Sequence, residues 1–171
     1  MERILDDDDI QAKTYLYSSR YAPGESEQKY LNLFRELKSS PDWIPKQNHI
    51  IFSNDNDLVF LPLQFMDENF FIVKYSFKND HFVLDYVSIA SLRKYFIKNI
   101  TRAIGHKNFD KQKAINDIIA LSFILGNDFI PKFPDIELKN DAFDELLESY
   151  YHVNKDSKSE YKYLIENDAF N

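Results

Sequence analysis

The run KQKAINDIIALSFIL, from Lys111 to Leu125, is apolar nearly all round in its second half. A helix with apolar residues on every side is stable only inside a folded body, so the segment predicts a central helix wrapped by other elements. The rest of the chain supplies them. HIIF is a β-branched and aromatic run that stops abruptly at SNDND, which predicts a buried strand ending in a polar loop. FFIVKYSF and HFVLDYV alternate as two paired strands joined around Lys78-Asn79-Asp80, and TYLYS, from Thr14 to Ser18, is a further short β-prone run. Helical spacing of Tyr30, Leu33, Phe34 and Leu37, then of Ile89, Leu92, Phe96 and Ile100, then of Phe143, Leu146, Leu147 and Tyr150, predicts three amphipathic helices. The last two are expected over Ser88–Ile100 and from about Asp141 to His152. Helices interleaved with strands place the chain in the α/β class, with a short sheet flanked by helices.

Length and composition narrow what such a body can do. The 171 residues match one domain able to bury roughly two-thirds of its surface, and a core rich in Phe and Ile is expected. Residues 15–153 are expected to form the ordered core and 154–171, a polar stretch, to be peripheral. There is no cysteine, and His49, His81, His106 and His152 show no pairing at metal-ligand spacing, so any metal would be held by oxygen. No apolar run reaches the roughly 20 residues that span a bilayer, and the start MERILDDDD lacks the features of a signal peptide; an intracellular protein with no membrane partner is expected. The net charge of −7 argues against coating nucleic acid by charge alone. Between Arg93 and Lys113, however, seven basic residues face the single acid Asp110, a local charge of +6. Singly these are solvated helix positions; as a group, led by Arg93, Lys94, Lys98 and Arg102, they could form a phosphate-facing patch.

Three acidic motifs carry the chemistry. Glu25 and Glu27 follow Pro23-Gly24; on a regular helix they would point about 200° apart, but at a helix start both can face one point near the positive end of the helix. Asp55 and Asp57 follow the strand HIIF with one Asn between them, so in extended geometry both emerge on the same side, at the strand end where open α/β sheets bind ligands. Asp128, in GNDF, ends the most hydrophobic helix, where a carboxylate needs a neutralising partner. Each motif alone also fits a bland role: a capped helix start, a solvated turn, a helix-terminal turn. Gathered, carboxylates about 4 Å apart would repel by about 4 kcal/mol per pair at an effective dielectric of 20, a cost that a bound cation removes. Carboxylates without Cys or His select Mg²⁺ or Mn²⁺, and a paired site of that kind serves phosphodiester hydrolysis.

PGESEQK, HIIFSNDNDLVFLPL and IIALSFILGNDFIPKFPDIEL, in this order and rough spacing, resemble successive motifs of the XRN-type 5′→3′ exoribonucleases, read approximately as PGEGEHK, GLDADL and GNDFLPHLP. DAFDELLESYY and YLIENDAFN extend the likeness, which runs from about Tyr15 to the C-terminus; the acidic pattern is also that of the wider flap-endonuclease-like superfamily. The resemblance implies an incomplete flap-endonuclease/PIN-like nuclease core over residues 1–171, a single partial nuclease domain with its N-terminal central strands missing. It implies that Glu25, Glu27, Asp55, Asp57 and Asp128 bind the two catalytic metal ions, Mg²⁺ or Mn²⁺. It also implies RNA, single-stranded and 5′-monophosphorylated, as substrate, in cytoplasm or nucleus. Ser26 and Gln28 stand in place of the usual Gly and His, Ser53 and Asn56 in place of Gly and Ala, and Asn116 in place of a common Asp. Family members carry a long stretch before PGEGEHK that supplies two more aspartates and a pocket for the 5′-phosphate, and nothing in the first 22 residues replaces it. The expectation is therefore a fragment, inactive without that stretch and open to a complementing N-terminal nuclease chain. The alternatives are a non-catalytic nucleic-acid or protein-binding relative and a structure-specific DNA nuclease, the latter disfavoured by the two prolines of GNDFIPKFP.

Overall fold

The computed structural model describes residues 21, 23–78, 81–105, 108–126, 141–157, 160–166 and 169–170. The β-prone run Thr14–Ser18 and Asp128 lie outside them. The chain divides into two compact units, Met1–Trp43 and Ile44–Asn171.

In the first unit the described structure is essentially one helix, α1 (Ser26–Lys38). Gly24 sets its start: at φ +94° the backbone is left-handed, a conformation that glycine adopts without penalty, and the next residue opens the helix. Leu31 and Phe34 are its buried residues, and Trp43 packs edge-to-face on Phe34 with ring centroids 5.4 Å apart.

The second unit begins with β1 (Asn48–Phe52), which runs parallel to β2 (Asn69–Lys78); β3 (His81–Ser88) returns antiparallel to β2, giving the order β1-β2-β3. The apolar stretch between β1 and β2 forms a single helical turn, α2 (Asp57–Phe60), and a 3-10 turn over Leu61–Gln64 with Pro62 near its start. Ser88 caps α3 (Ile89–Ile104) by accepting from the Ser91 amide at 3.3 Å, and Gly105 at φ +73° ends it. Asp110 caps α4 (Lys111–Ile124), its Oδ1 accepting from the Gln112 and Lys113 amides at 2.8 and 3.1 Å. Helix α5 (Ala142–Asp156) and a two-stranded hairpin, β4 (Ile165–Glu166) with β5 (Ala169–Phe170), complete the unit.

Period-2 alternation gives the sheet two unlike faces. Ile51, Phe70 and Ile72 point to the helical side, and α3 packs against β2 and β3 there. The central helix behaves as its composition predicts, with Ala114, Ile115, Ile118, Ala120 and Leu121 buried. Isoleucine dominates the core as expected, but phenylalanine does not: Phe52, Phe77 and Phe82 are exposed on the opposite face of the sheet. Among the described residues of this unit, the sheet is thus covered by helices on one face rather than flanked on both. The observed class is mixed α/β, built on a small sheet.

The polar stretch after α5 departs from the expectation of a peripheral tail. Tyr161 is buried, and the Leu164 and Ile165 amides each donate to the buried Asp117 carboxylate of α4 at 3.0 Å. Asn154, itself 1% exposed, accepts from the Lys162 amide at 2.7 Å and donates to the Lys162 carbonyl at 3.2 Å. Polar residues here close buried hydrogen bonds instead of facing water.

Candidate active site

The strand β1 ends because the polar run after it hydrogen-bonds its own backbone. Ser53 makes one last ladder bond to Val73, then its Oγ accepts from the Asp55 amide at 3.1 Å. Asp55 Oδ1 accepts from the Asp57 amide at 2.9 Å, and Asp57 is the first residue of α2. These overlapping side-chain-to-backbone turns correct one expectation. Asn56 is helical, at φ −79° and ψ −29°, so the two aspartates are joined by a turn and not by an extended strand. The asparagines before and between them anchor the loop to β2: Asn54 Oδ1 accepts from the Tyr75 amide at 2.9 Å, and Asn56 Oδ1 from Lys74 Nζ at 2.6 Å. Both aspartates are half-buried at the C-terminal end of a strand in a parallel pair.

Lys74 is the residue that sequence reasoning overlooked. It is the lone charged position in the apolar strand FFIVKYSF, and that isolation was the available signal. Its ammonium reaches the loop that carries the aspartates.

Glu25 and Glu27 occupy the helix start as predicted. Glu25 is the extended residue immediately before α1, its carbonyl accepting from the Lys29 amide, and Glu27 lies in the first turn. Both belong to the Met1–Trp43 unit, whereas Asp55 and Asp57 belong to the other. Helix α4 stops at Leu125 and Gly126, the latter at φ +94°, two residues before Asp128. Among the described residues, no three His, Asp or Glu side chains come together at metal-ligand distance.

The acid that α4 does bury is Asp117. Its Oδ2 accepts from Tyr150 Oη at 2.6 Å and from the Leu164 amide, Oδ1 accepts from the Ile165 amide, and Tyr161 Oη donates to Tyr150 Oη at 2.8 Å. Burial raises its pKa, against the lowering effect of those hydrogen bonds. Every partner named is internal, so Asp117 clamps the segment after α5 onto α4. Glu68 is also buried, with Oε2 3.6 Å from His49 Nε2 on the helical side of the sheet.

The basic residues of α3 divide by face. Arg93 is withdrawn from the expected phosphate-facing group: it is 4% exposed, and its guanidinium donates to the Phe65 carbonyl and, at 2.5 Å, to the Glu68 carbonyl. Burial lowers its pKa, opposed by Asp67 and Glu68. It pins the bend between the 3-10 turn and β2. Lys94, Lys98 and Arg102 are exposed and recur every fourth residue, a row of cations about 6 Å apart along the helix axis. The row ends at an open groove of about 380 Å³ between α3 and α5, lined by Arg102, Glu148, Tyr151, His152 and Lys155. Neither Asp55 nor Asp57 is among its lining residues. No helix among the described residues is long and apolar enough to cross a membrane.

Residues 1–76 match the family described as XRN 5'-3' exonuclease N-terminus, and residues 108–171 match the Xrn1 helical domain. The first match contains Glu25, Glu27, Asp55 and Asp57 and begins before Tyr15; the second contains Asp117 and Asp128. The chain is 28% identical over 163 residues to 5'-3' exoribonuclease 1 of Saccharomyces cerevisiae, covering 87% of this chain and 10% of that protein. It is 25% identical over 191 residues to 5'-3' exoribonuclease 2 of Gallus gallus, with 89% and 20% covered, and 28% identical over 165 residues to 5'-3' exoribonuclease 1 of Homo sapiens, with 88% and 10% covered. The chain therefore spans between a tenth and a fifth of the length of these relatives. Two consecutive parts of one family's architecture, matched in order along most of the sequence, make this chain a member of the XRN-type 5′→3′ exoribonuclease family.

Proposed function

We propose that this chain contributes the carboxylates of a divalent-metal-dependent 5′→3′ exoribonuclease site. Asp55 and Asp57 after β1, Glu25 and Glu27 at the start of α1, and Asp128 beyond α4 are the groups that would hold Mg²⁺ or Mn²⁺. The observation that carries the reading is the Asp55–Asp57 turn: a half-buried carboxylate oriented by a backbone amide, at the carboxyl end of a strand in a parallel pair. An all-oxygen donor set suits a hard cation. Such a cation, when bound, supplies charge stabilisation to the attacking and leaving oxygens of the phosphodiester.

The chain's own residues orient the site. The Asp57 amide holds Asp55 in one rotamer, while Asn54 and Asn56 fix the loop on β2. Lys94, Lys98 and Arg102 offer a row of cations for the backbone of single-stranded, 5′-monophosphorylated RNA. Among the described residues β1 has one hydrogen-bonded neighbour, and an edge of that kind accepts another strand. A complementing nuclease chain would pair there, and hydrolysis by this chain alone would await it.

The test is calorimetric Mn²⁺ titration with hydrolysis of a 5′-monophosphorylated RNA, comparing the native chain with Asp55→Ala and Asp57→Ala. Loss of Mn²⁺ binding in both variants supports the site; unchanged binding in both overturns it. A second reading, a nucleic-acid-binding relative without catalysis, is favoured by the basic row of α3. It predicts RNA binding that neither substitution alters and no hydrolysis when a family N-terminal segment is added.

A further inference from the structure

Past the last pairing of β1, Phe52 with Val73, three successive residues of β2 hold the loop that carries Asp55 and Asp57. The Val73 carbonyl accepts from the Ser53 amide at 3.0 Å, the Tyr75 amide donates to Asn54 Oδ1 at 2.9 Å, and Lys74 Nζ donates to Asn56 Oδ1 at 2.6 Å. Of the three, only Lys74 uses its side chain, and only Lys74 reaches the residue between the two aspartates.

The partner that the ammonium takes is informative. Register sets Asp85 of β3 directly opposite Lys74 on the same face, about 5 Å away between Cβ atoms, a placement that favours a cross-strand ion pair. Asp55 and Asp57 flank the residue that Lys74 does contact. Among the described residues the ammonium forms an ion pair with none of these carboxylates; it donates to a neutral carboxamide eighteen residues earlier. An ammonium paired with either site aspartate would have to be displaced before a cation could bind there, and the carboxamide avoids that competition. The bond is nonetheless charge-assisted, roughly twice as strong as one between neutral groups. Asn56, at φ −79° and ψ −29°, is the corner of the turn, so fixing its side chain fixes the directions in which residues 55 and 57 leave it. Alanine, which the resembled motif has at this place, offers no acceptor, so the tether belongs to this chain's own sequence.

We propose that Lys74 is a positioning residue of the candidate metal site: through Asn56 it holds the Asp55–Asp57 turn on β2 ready for a divalent cation, without ion-pairing with either aspartate. Its role toward a cation rests on the carboxylate reading above, whereas the tether itself is a property of the metal-free chain. The sign of the effect separates positioning from charge. A positive side chain near a bound cation repels it, so an ammonium acting through charge alone would weaken Mn²⁺ binding, and its removal would tighten it. Removing a positioning ammonium does the opposite, because the loosened turn outweighs the lost repulsion.

The test compares the full native chain with Lys74→Met, Asn56→Ala, the double variant and Lys74→Arg, by amide hydrogen exchange without metal and by calorimetric Mn²⁺ titration. Without metal, the Asp57 amide, held by Asp55 Oδ1 at 2.9 Å, should exchange faster in Lys74→Met and in Asn56→Ala while the amides of α4 are unchanged. Mn²⁺ affinity should fall about 10-fold in each, the smaller end of the cost of removing a group that orients a metal ligand. The double variant should be no worse than either single one, since both remove the same bond, and Lys74→Arg, which keeps a donor, should recover most of the loss. Mn²⁺ binding that is unchanged or tighter in Lys74→Met overturns the proposal, as do additive effects of the two substitutions. So does exchange that rises equally in α4, the mark of a general contribution to stability. If Lys74→Met does not fold, Asn56→Ala, which changes an exposed side chain, supplies both readouts. A native chain that binds no Mn²⁺ sinks the carboxylate reading and with it any role of Lys74 toward a cation; native Mn²⁺ binding with an Asp57 amide indifferent to both substitutions sinks the tether alone.

Discussion

Replacing Asp117 by alanine should destabilise this chain more than any substitution of a site carboxylate. The Asp117 carboxylate is 0% exposed and accepts from three donors, Tyr150 Oη at 2.6 Å and the Leu164 and Ile165 amides at 3.0 Å. Leaving a buried donor without an acceptor costs about 1–3 kcal/mol, so three such donors set a gross loss of about 3–9 kcal/mol. Part is regained because a carboxylate no longer has to be kept from water, which leaves a net loss of about 3 kcal/mol. For a chain of this size that is a fall in melting temperature of roughly 9 °C. Equilibrium urea denaturation supplies the free energy, and hydrogen exchange supplies the location, since the Leu164 and Ile165 amides should lose protection before β1 and β2 do. The pH dependence has a definite sign. Burial raises the native pKa above the ordinary carboxylate value, so the folded state binds this proton more tightly than the unfolded state. The group's contribution is then most favourable below the unfolded value and declines as pH rises through the window up to the native pKa. Asp117→Asn should remove that slope while costing about 2 kcal/mol, because its amide nitrogen turns a donor toward a donor. A loss under about 1 kcal/mol for Asp117→Ala, or strict additivity with Tyr150→Phe, would refute the clamp.

Asp55→Asn keeps the acceptor oxygen for the Asp57 amide and Asp55→Ala does not, so Asp55→Ala should cost about 1 kcal/mol in thermal unfolding while Asp55→Asn costs a few tenths. Both should weaken Mn²⁺ binding in calorimetry if Asp55 is a ligand, which separates its structural role from its proposed chemical one. Arg93→Leu strips the Phe65 and Glu68 carbonyls of their donor and should lower stability by about 3 kcal/mol in urea. The triple variant Lys94→Gln/Lys98→Gln/Arg102→Gln should leave stability within about 0.5 kcal/mol. If the α3 row contacts single-stranded RNA, its salt slope of binding should flatten by about 2, whatever the base sequence. Gly24→Ala should cost about 1 kcal/mol, because φ +94° is a backbone conformation that alanine resists.

The motifs and the tertiary structure divide the explanation unevenly. Glu25 and Glu27 were placed correctly because Pro23-Gly24 and the apolar repeat of α1 are both local signals. Asp55 and Asp57 were placed at the right strand end but in the wrong local geometry, since an alternation rule assumes extended backbone and cannot register that Ser53 and Asp55 side chains bind the next amides. Arg93 differs from Lys94 only through the side of α3 on which it falls, and two carbonyls far along the chain decide that it is core. The segment 160–166 looked peripheral because its residues are polar; its burial depends on Asp117, more than forty residues earlier.

What the sequence determined by itself is the set of local periodicities, and with them the helices α1, α3, α4 and α5, the strands β1, β2 and β3, and the order of acidic motifs that identifies the family. Those follow from side-chain spacing and capping along a few turns of chain. Only the tertiary structure decided which face of the sheet is buried, which arginine leaves the surface and which acid is a clamp. Each of these depends on groups brought together from distant positions, where desolvation is repaid only if a hydrogen-bond partner arrives as well.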